Sequence, residues 1–551
     1  MSNNYNQALF DQITALIRQK MKSLRITGAS VAIVDDEETI YAEGFGYADL
    51  KNRVPVHPGT IFKIGSITKV FTASGIMRLV EDGKIALDQP VKEYLPEFAV
   101  KSRFPETRPI TVRDLLCHHS GLPCDDFRNY FSSDPEDYQA VMEYLPEAYV
   151  VAPPGRMFYY SNLGVDLLGV IIARITGMPY HRYMENLLKD LKMEKSAIVI
   201  PEAWGSFLSK PYAKGKEQVE GLMKEVPPGG ISSTVEDMAK FMKSIISGGK
   251  GLFRNPNTLN AMVLPQYPDN PLDFNMVNGL GWFIGKPGLD DAGQVLWHDG
   301  GTPNFFSLMA LIPERKLGIT LLTNSPGGAL MNHQVSIDIL RLLLEAKYGL
   351  KSKEEVGKQP APITPDLIRK TAGRFVTMAG MVTVSSVGDK LVARMPSGTF
   401  QMFPCQDGWF SVKLLLGGLI PLKLKQLSVI RLGIPQVNGE RVFAMEQLGF
   451  RAPQGKEYVP LNTTNVWLAR AGNYVCCNDS NPRFKSFKLQ SSAEGMMISI
   501  SSDKLGHLNL YLDVINDFEA TIAGYGRYCG ETIFSMPGRL KVFGLEFRKK
   551  K

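Results

Sequence analysis

The chain has 551 residues, of which 44% are hydrophobic and 21% are charged. One hydrophobic core rarely supports a chain of this length, so we expect two or three domains. The net charge of +7 comes from 62 basic and 55 acidic residues spread along the chain, and it indicates neither a nucleic-acid groove nor a membrane-binding patch.

The N-terminal stretch predicts an amphipathic helix and not a secretion signal. Its apolar residues recur at three-to-four spacing: Phe10, Ile13, Ile17, Met21 and Leu24. The longest nearly uncharged apolar run covers residues 414–422, whereas a membrane span takes about 20 residues. We therefore expect a cytoplasmic protein with no signal peptide, no transmembrane segment and no membrane partner.

Strand-like and helix-like segments follow one another through residues 1–350. "ASVAIV" and "TIYAEGFGYADL" read as a hairpin near the N-terminus, and "QVLWHDGG", "FFSLMALIP" and "GITLLTN" read as three strands much later. Helical periodicity and loops fill the interval, and a last helix stops at Gly349. The order predicts an α+β domain with one antiparallel sheet built from both ends of the region, flanked by helices and carrying an all-helical insertion.

A domain boundary is predicted in the charged, proline-rich stretch "KSKEEVGKQPAPITPD". Beyond residue 365 the sequence changes to short β-type segments with glycine-rich turns, and it repeats itself. "TAGRF" is echoed by "RAGNY", and "RVFAMEQLGFR" by "KVFGLEF", each about one hundred residues later. We interpret residues 365–452 and 465–551 as two antiparallel β-barrel modules.

The cysteines show neither metal-ligand nor redox spacing, and we interpret them as free thiols: Cys117, Cys124, Cys405, Cys476, Cys477 and Cys529. His118 and His119 are adjacent, so their side chains diverge, and no third ligand stands at a suitable spacing. We therefore predict no metal site and no cofactor.

The stretch "KIGSITKVFTA" places Ser66 three residues before Lys69 at the start of a predicted helix. At this spacing both side chains lie on one helix face, and the positive helix end favours a nucleophilic hydroxyl and a lysine of lowered pKa. The spacing alone is weak evidence, because "SGGK" at 247 and "SSDK" at 501 share it. A serine that only caps its helix is the alternative reading.

Two further stretches add candidate catalytic residues. "YYSNLG" offers Tyr160, which can relay the serine proton, and Asn162, whose amide can position Lys69 and a substrate. "LWHDGG" offers His298, which can hydrogen-bond Tyr160, followed by glycines that let a substrate lie against the strand. Taken singly, each residue also fits a structural role, as a core tyrosine, a helix cap or a surface histidine.

Residues of about 10–345 resemble the serine β-lactamase and penicillin-binding protein superfamily. The resemblance is carried by "TIFKIGSITKVFTASGIMRLVEDGKIALDQP", "ITVRDLLCHHSGLP", "PPGRMFYYSNLGVDLLG" and "PPGGISSTVEDMAKFM", in the order and spacing of that superfamily. It is closest to the branch of class C β-lactamases, D-aminopeptidases, D-Ala-D-Ala carboxypeptidases and esterases. The D-aminopeptidase-like members also carry C-terminal lipocalin-like barrels.

The resemblance implies the roles of the candidate residues. Ser66 is the acylated nucleophile, Lys69, Tyr160 and His298 complete the catalytic set, and the backbone N–H groups of Ser66 and Gly301 form the oxyanion hole. Substrate binding falls to four residues: Asn162, Asp299, Gly300 and Gly301. "HDG" at 298–300 stands where β-lactamases carry Lys-Thr-Gly, which weakens binding of an anionic substrate.

We therefore predict a serine hydrolase that cleaves amide bonds of small peptides, including peptides with D-residues, through an acyl-enzyme. The alternative is a carboxylesterase or weak β-lactam hydrolase that uses the same residues. A third reading is a non-catalytic receptor of the penicillin-binding type. No nucleic acid is expected as a partner, and the sequence leaves open a homo-oligomer formed through the C-terminal modules.

Overall fold

The computed structural model describes residues 5–351, 359–418, 420–422, 427, 429–477, 484–502 and 506–550. Three units follow one another along the chain: a mixed α+β domain and two closed antiparallel barrels. This architecture confirms the predicted fold class.

The first unit contains one large antiparallel sheet and several two-residue strand pairs. Its strands are β1 Gly28–Asp35, β2 Glu38–Asp49, β3 Val54–Pro55, β4 Phe62–Lys63, β5 Phe131–Ser132, β6 Tyr212–Ala213, β7 Lys216–Glu217, β8 Leu222–Met223, β9 Ser232–Ser233, β10 Val277–Asn278, β11 Phe283–Ile284, β12 Leu296–Gly301, β13 Phe306–Ile312 and β14 Leu317–Thr323. The large sheet has the order β10-β11-β12-β13-β14-β1-β2-β3. Because β14 pairs with β1, the two ends of the region close one sheet, as predicted.

Helices cover both faces of this sheet. They are α1 Gln7–Leu24, α2 Thr68–Glu81, α3 Val112–Leu116, α4 Val141–Tyr144, α5 Asn162–Thr176, α6 Tyr180–Asp190, α7 Val226–Gly229, α8 Val235–Ile246, α9 Pro256–Val263 and α10 Gly328–Tyr348. In β1, Val31 and Ile33 join the core under α1 and α10, while Ala32 and Val34 join the core that contains α2, α5 and α8. Burial on both faces explains why β1 reads as an uninterrupted apolar run.

The two C-terminal barrels each begin with a short helix. The first contains α11 Pro365–Thr371, β15 Gly373–Thr377, β16 Gly380–Val387, β17 Lys390–Met395, β18 Gly398–Pro404, β19 Phe410–Leu416, β20 Ile420–Leu422, β21 Ile430–Gly433, β22 Gln436–Val437, β23 Glu440–Gln447 and β24 Phe450–Glu457. The second contains α12 Asn465–Ala469, β25 Gly472–Cys476, β26 Ser486–Ser492, β27 Gly495–Ser502, β28 Gly506–Val514, β29 Glu519–Ile522, β30 Thr532–Met536, β31 Arg539–Val542 and β32 Leu545–Lys549. Pairing of β18 with β19 and of β25 with β32 closes the barrels. The sequence pattern predicts almost no helix after residue 365, so these two short helices differ from the prediction.

Both barrels pack against the first unit. The tip of the β23–β24 hairpin is held by Asn275, which donates to the Gly449 carbonyl at 2.8 Å and accepts from the Arg451 N–H at 2.7 Å. On the second barrel, Glu519 accepts hydrogen bonds from Arg103 at 2.8 Å and Tyr149 at 3.0 Å. Each barrel is therefore tied to the first unit by specific polar contacts.

The described residues contain no single helix that is both long and apolar enough to cross a membrane. By length and composition alone, α5 and α6 taken together would meet that test, although they are bent by 86° at their junction. None of the six cysteines, all of which the structure describes, forms a disulfide bond, in agreement with the prediction of thiols.

Phe127 tests how the second barrel is anchored, because this fully buried ring belongs to the first unit but packs inside the barrel core. Its ring centroid lies 5.2 Å from that of Phe484 and 6.0 Å from that of Phe543. We expect Phe127→Ala to lower the free energy of unfolding by about 3–5 kcal/mol, as large cavities in cores do. Phe518→Ala is the matched control, since Phe518 is 63% exposed, and it should change that free energy by less than about 0.5 kcal/mol. Urea denaturation followed by fluorescence measures both, and equal effects would contradict the anchoring role.

Candidate active site

Ser66 and Lys69 meet at the junction of a short 3-10 turn with α2. Ser66 lies in the turn Gly65–Ile67, and Lys69 lies in the first turn of α2. The Lys69 Nζ donates to Ser66 Oγ at 3.0 Å and to the Pro228 carbonyl at 2.9 Å. The helix face that the sequence predicted therefore brings the amine to the hydroxyl.

The surroundings of Lys69 favour its neutral form. The residue is only 2% exposed, and this burial lowers the pKa of the amine to about 7, although the nearby charge of Glu225 opposes the shift. The positive charge of Arg527 acts in the same direction as burial. A lysine in this state is able to accept a proton near neutral pH.

Tyr160 joins the pair from the loop before α5. Its hydroxyl is hydrogen-bonded to the Ser66 side chain, and its ring centroid lies 4.8 Å from Lys69 Nζ. Burial raises the pKa of Tyr160 well above its usual value, and the hydrogen bond to Ser66 opposes this only in part. The tyrosine is therefore a neutral phenol, which leaves Lys69 as the stronger base of the two.

Asn162 is the first residue of α5, and the helix cap is Ser161, not Asn162. The Asn162 Nδ2 donates to Asp125 Oδ1 at 2.6 Å, so this amide N–H is not directed at Lys69 as the sequence had suggested. Its Oδ1 is buried without a hydrogen-bond partner among the described residues. The carbonyl side of the amide is therefore the part that is left to accept a hydrogen bond.

His298 lies within β12, and its contact differs from the predicted one. Among the described residues no hydrogen bond joins His298 to Tyr160, and the histidine Nδ1 instead donates to the Asp299 carbonyl at 2.6 Å. Burial lowers the pKa of His298 to about 4, against the opposing charge of Asp299. The ring is therefore neutral, with its proton on the nitrogen that faces its own backbone.

The glycines of β12 allow this strand to touch the Ser66 turn. A Cβ on Gly300 would lie 2.0 Å from the Ile64 carbonyl oxygen and 2.9 Å from the Ser66 nitrogen. A Cβ on Gly65, which has a φ of +51°, would lie 2.7 Å from the Gly301 nitrogen. This contact brings the backbone nitrogens of Ser66 and Gly301 to one place, where two N–H groups can face an oxyanion.

These residues open on a cavity of about 670 Å³ that all three units line. Ser66, Tyr160, Asn162, Asp299, Gly300 and Gly301 are among its lining residues. Lys69 and His298 are not among the lining residues. Side chains alternate along β12, so Trp297 and Asp299 face the cavity and His298 faces away from it. The predicted site residues thus lie together in one site, and two of them, Lys69 and His298, lie behind the cavity surface.

Sequence reasoning missed the residues that the barrels supply. The first barrel lines the cavity with Phe450 and its neighbours, and the second contributes Arg527. Arg527 Nη2 donates to Asp125 Oδ2 at 2.7 Å, and its guanidinium carbon lies 5.6 Å from the Tyr160 ring centroid. The stretch "GYGRYCG" was a visible signal, since it places one arginine in a glycine-rich turn, but nothing in it indicates which surface that turn meets.

A group of buried charged residues behind Lys69 was also missed. Asp166 and Glu225 are each at most 1% exposed, and each has a carboxylate oxygen without a hydrogen-bond partner among the described residues. Burial raises the pKa of both groups well above the usual carboxylic range. Burial thus disfavours the ionised form of both acids, which weakens the support that their charges give to the Lys69 ammonium.

The adjacent histidines have structural contacts. The backbone N–H of Ser161 donates to His118 Nδ1 at 3.2 Å, and His119 Nε2 lies 2.7 Å from Asp273 Oδ2. Across the described part of the chain, no group of three or more His, Cys, Asp and Glu side chains is placed to hold a metal ion.

Comparison with known proteins places this site in a family. Residues 13–340, which include Ser66, Lys69, Tyr160 and His298, match the Beta-lactamase family. The chain belongs to the β-lactamase family. This β-lactamase-family chain is 26% identical to "Protein flp" of Staphylococcus aureus (strain NCTC 8325 / PS 47) over 328 residues, which is 57% of this chain and 62% of that protein. The match thus spans less than two thirds of that relative's length.

Two further relatives extend the comparison. "Unguisins hydrolase ungD" of Aspergillus violaceofuscus (strain CBS 115571) is 26% identical over 381 residues, 61% of this chain and 66% of that protein. The structure of the octameric penicillin-binding protein homologue from Pyrococcus abyssi is similar with a TM-score of 0.57 and 26% identity, covering 79% of this chain and 95% of that one. The structure of SurE with D-Leu has the same TM-score at 22% identity, covers 82% of this chain and 100% of that one, and shows a shared fold. The coverages of 79% and 82% by the two solved structures exceed the β-lactamase-family region, so these two similarities extend into the barrels.

Gly300 tests the contact between β12 and the Ser66 turn. Because an added methyl group would collide with the Ile64 carbonyl, Gly300→Ala should displace the Gly301 nitrogen and lower hydrolytic kcat by about 10²–10³-fold, the usual cost of a lost oxyanion donor. Gly205→Ala is the matched control, since no heavy atom lies within 4 Å of its Cβ position. Steady-state kinetics on an activated ester measures the effect. Equal rates in the two variants would contradict the role of this close contact.

Proposed function

We propose that this protein is a serine hydrolase that cleaves amide bonds of small peptides, including peptides with D-residues, through an acyl-enzyme. The single observation that carries the proposal is the 3.0 Å contact between Ser66 Oγ and a buried Lys69 whose pKa is lowered to about 7. A serine hydroxyl needs an adjacent base to become a nucleophile, and a neutral lysine is such a base.

Acylation begins when Ser66 Oγ attacks the substrate carbonyl carbon and its proton passes to Lys69 Nζ. The carbonyl oxygen becomes an oxyanion, which the N–H groups of Ser66 and Gly301 stabilise. When the C–N bond breaks, the leaving nitrogen takes a proton from the neutral phenol of Tyr160, and the ammonium of Lys69 restores that proton. The products of this half are a free amine and an ester on Ser66.

Deacylation reverses the proton movements with water in place of the amine. Water attacks the ester carbonyl and gives a proton to Lys69 and Tyr160, which act together as the base. The Ser66 oxygen then leaves, takes a proton back from them and becomes the hydroxyl again. Asn162 has an amide oxygen without a hydrogen-bond partner in the described part of the chain, and this oxygen accepts an N–H of the bound acyl group in this proposal. His298 is neutral and packs against the Phe283 ring, and in this proposal it exchanges no proton.

The substrate class rests on the cavity and on the relatives. A cavity of about 670 Å³ that both barrels help to line suits a small peptide better than a folded protein. One relative is named as a hydrolase of unguisins, and one structural neighbour is described with D-Leu, which supports short or D-residue-containing amides. Since another neighbour is described as octameric, we also propose that a homo-oligomer forms through the barrels.

Removal of the nucleophile tests the proposal. We expect Ser66→Ala to lower kcat for short peptide amides by about a thousandfold or more. The matched control is Ser247→Ala, because Ser247 also precedes a lysine by three residues but ends helix α8, away from the cavity. Release of free amine is measured by chromatography for matched amide, ester and β-lactam substrates. Hydrolysis of esters or β-lactams alone would favour the alternative function, and binding without turnover would favour a receptor.

The lowered pKa of Lys69 predicts the pH profile. Because the neutral amine is the active form, kcat/KM for a neutral ester should fall about tenfold per pH unit as the pH drops below about 7, and it should level off above that. Return of full activity at pH 8 after exposure to low pH controls for unfolding. An inflection of kcat/KM near pH 10, or a kcat/KM that does not change between pH 5 and pH 9, would contradict the role of Lys69 as the base.

A further inference from the structure

Three side chains in contact with one another, those of Lys286, His333 and Asp299, lead from the protein interior to the cavity beside Ser66. Lys286 Nζ lies 3.0 Å from His333 Nδ1, and His333 Nε2 lies 3.2 Å from Asp299 Oδ2. Lys286 is 1% exposed and lies 4.3 Å from the centroid of the Trp297 ring. The first-barrel residue Phe450 packs against Trp297, and its ring centroid lies 5.6 Å from the amine.

The hydrogen bond from His333 holds the Asp299 carboxylate in its position. Because a carboxylate only accepts, His333 Nε2 donates to Asp299 Oδ2, and the Lys286 amine contacts the other ring nitrogen. His333 thus holds one carboxylate oxygen. The Asp299 side chain remains 48% exposed and lines the cavity, so its other oxygen is available to a ligand.

The charge of this carboxylate is not cancelled within the cavity. Desolvation opposes ionisation, but the hydrogen bond from His333 keeps the pKa of Asp299 well below its usual value. Burial lowers the pKa of Lys286 to about 7, so at pH 8 that lysine is largely a neutral amine. Arg527, the cation that lines the cavity, is already paired with Asp125 at 2.7 Å. One fixed negative charge therefore faces the bound substrate.

We propose that Asp299, held by His333 and Lys286, is a subsite for a positively charged ammonium group of the substrate. The inference deepens the proposed hydrolase function and rests on it. Asp299 and Gly300 are adjacent on β12, and Gly300 touches the Ser66 turn, so the subsite lies along the strand next to the reacting carbonyl. A preorganised carboxylate binds an ammonium through charge-assisted hydrogen bonds and repels an anion at the same place.

Two parts of a substrate can present this ammonium group, the acyl part and the leaving part. Two series of anilides and amides separate them at pH 8. In the first series the acyl part is β-alanyl, butyryl or succinyl, and the leaving group is p-nitroaniline; a β-ammonium stays protonated at pH 8, unlike an α-ammonium. In the second series the acyl part is N-acetyl-D-alanyl, and the leaving amine is ethylenediamine, propylamine or β-alanine. Each series thus compares a cation, a neutral isostere and an anion.

The readout is the ratio of kcat/KM for the cationic and the neutral member in wild type and in Asp299→Asn. This substitution keeps the shape of the side chain and an oxygen for His333. We expect the wild type to prefer the cationic member in at least one series, and Asp299→Asn to lower that preference by about tenfold to hundredfold. Asp269→Asn is the matched control, since Asp269 is exposed and does not line the cavity, and it should keep the wild-type ratio.

The outcomes distinguish this inference from the proposed function. Amide hydrolysis that depends on Ser66 but shows no preference for a cation in either series would overturn the subsite and leave the hydrolase proposal intact. A preference that Asp299→Asn retains would assign the cation to another residue and also overturn it. If no amide of either series is hydrolysed, the proposed function fails, and the subsite fails with it.

Discussion

The arrangement depends on a lysine amine that is kept out of water beside a serine hydroxyl. A buried ammonium is costly, so the amine of Lys69 loses its proton more readily, and the hydroxyl of Ser66 gains a base. Several parts of the molecule contribute to this burial. The Pro228 carbonyl accepts one N–H of the amine and the Tyr160 ring covers it, while burial raises the pKa of two nearby acids, Asp166 and Glu225.

The fold brings the parts of this site together from distant positions in the chain. The 3-10 turn before α2 supplies Ser66 and the first turn of α2 supplies Lys69. The segment before α5 supplies Tyr160, and β12 supplies the glycine contact that sets two backbone nitrogens side by side. The barrels then complete the cavity from outside. The β23–β24 hairpin lines the cavity and also places Phe450 beside Lys286. Docking of the first barrel therefore contributes to the burial of this second lysine.

Much of this could be predicted from the sequence, because local patterns carry it. The Ser66–Lys69 spacing fixes one helix face, the apolar run of β1 indicates a strand buried on both sides, and the repeated motifs after residue 365 mark two similar barrels. The predictions that were wrong concern side-chain partners: Asn162 binds Asp125 and not Lys69, and no hydrogen bond joins His298 to Tyr160 among the described residues.

Contacts between units could not be predicted, for a physical reason. The place of Arg527 depends on how the second barrel docks, and docking is decided by surfaces assembled from many separate segments. The chain from Lys286 through His333 to Asp299 likewise joins a loop, a helix and a strand, and no spacing in the sequence links them. Loops and docked surfaces therefore hold the information on specificity, while the local motif holds the chemistry.

The protonation state of Lys69 is the most direct measurement. With lysines labelled at the Cε carbon, the resonance that is missing from a Lys69→Met variant belongs to Lys69, and its shift is followed from pH 5 to pH 11 by NMR. The account predicts that this resonance titrates with a pKa of about 7. A titration near 10.4, the value of an exposed lysine, would mean that the amine is charged at neutral pH and cannot activate the serine.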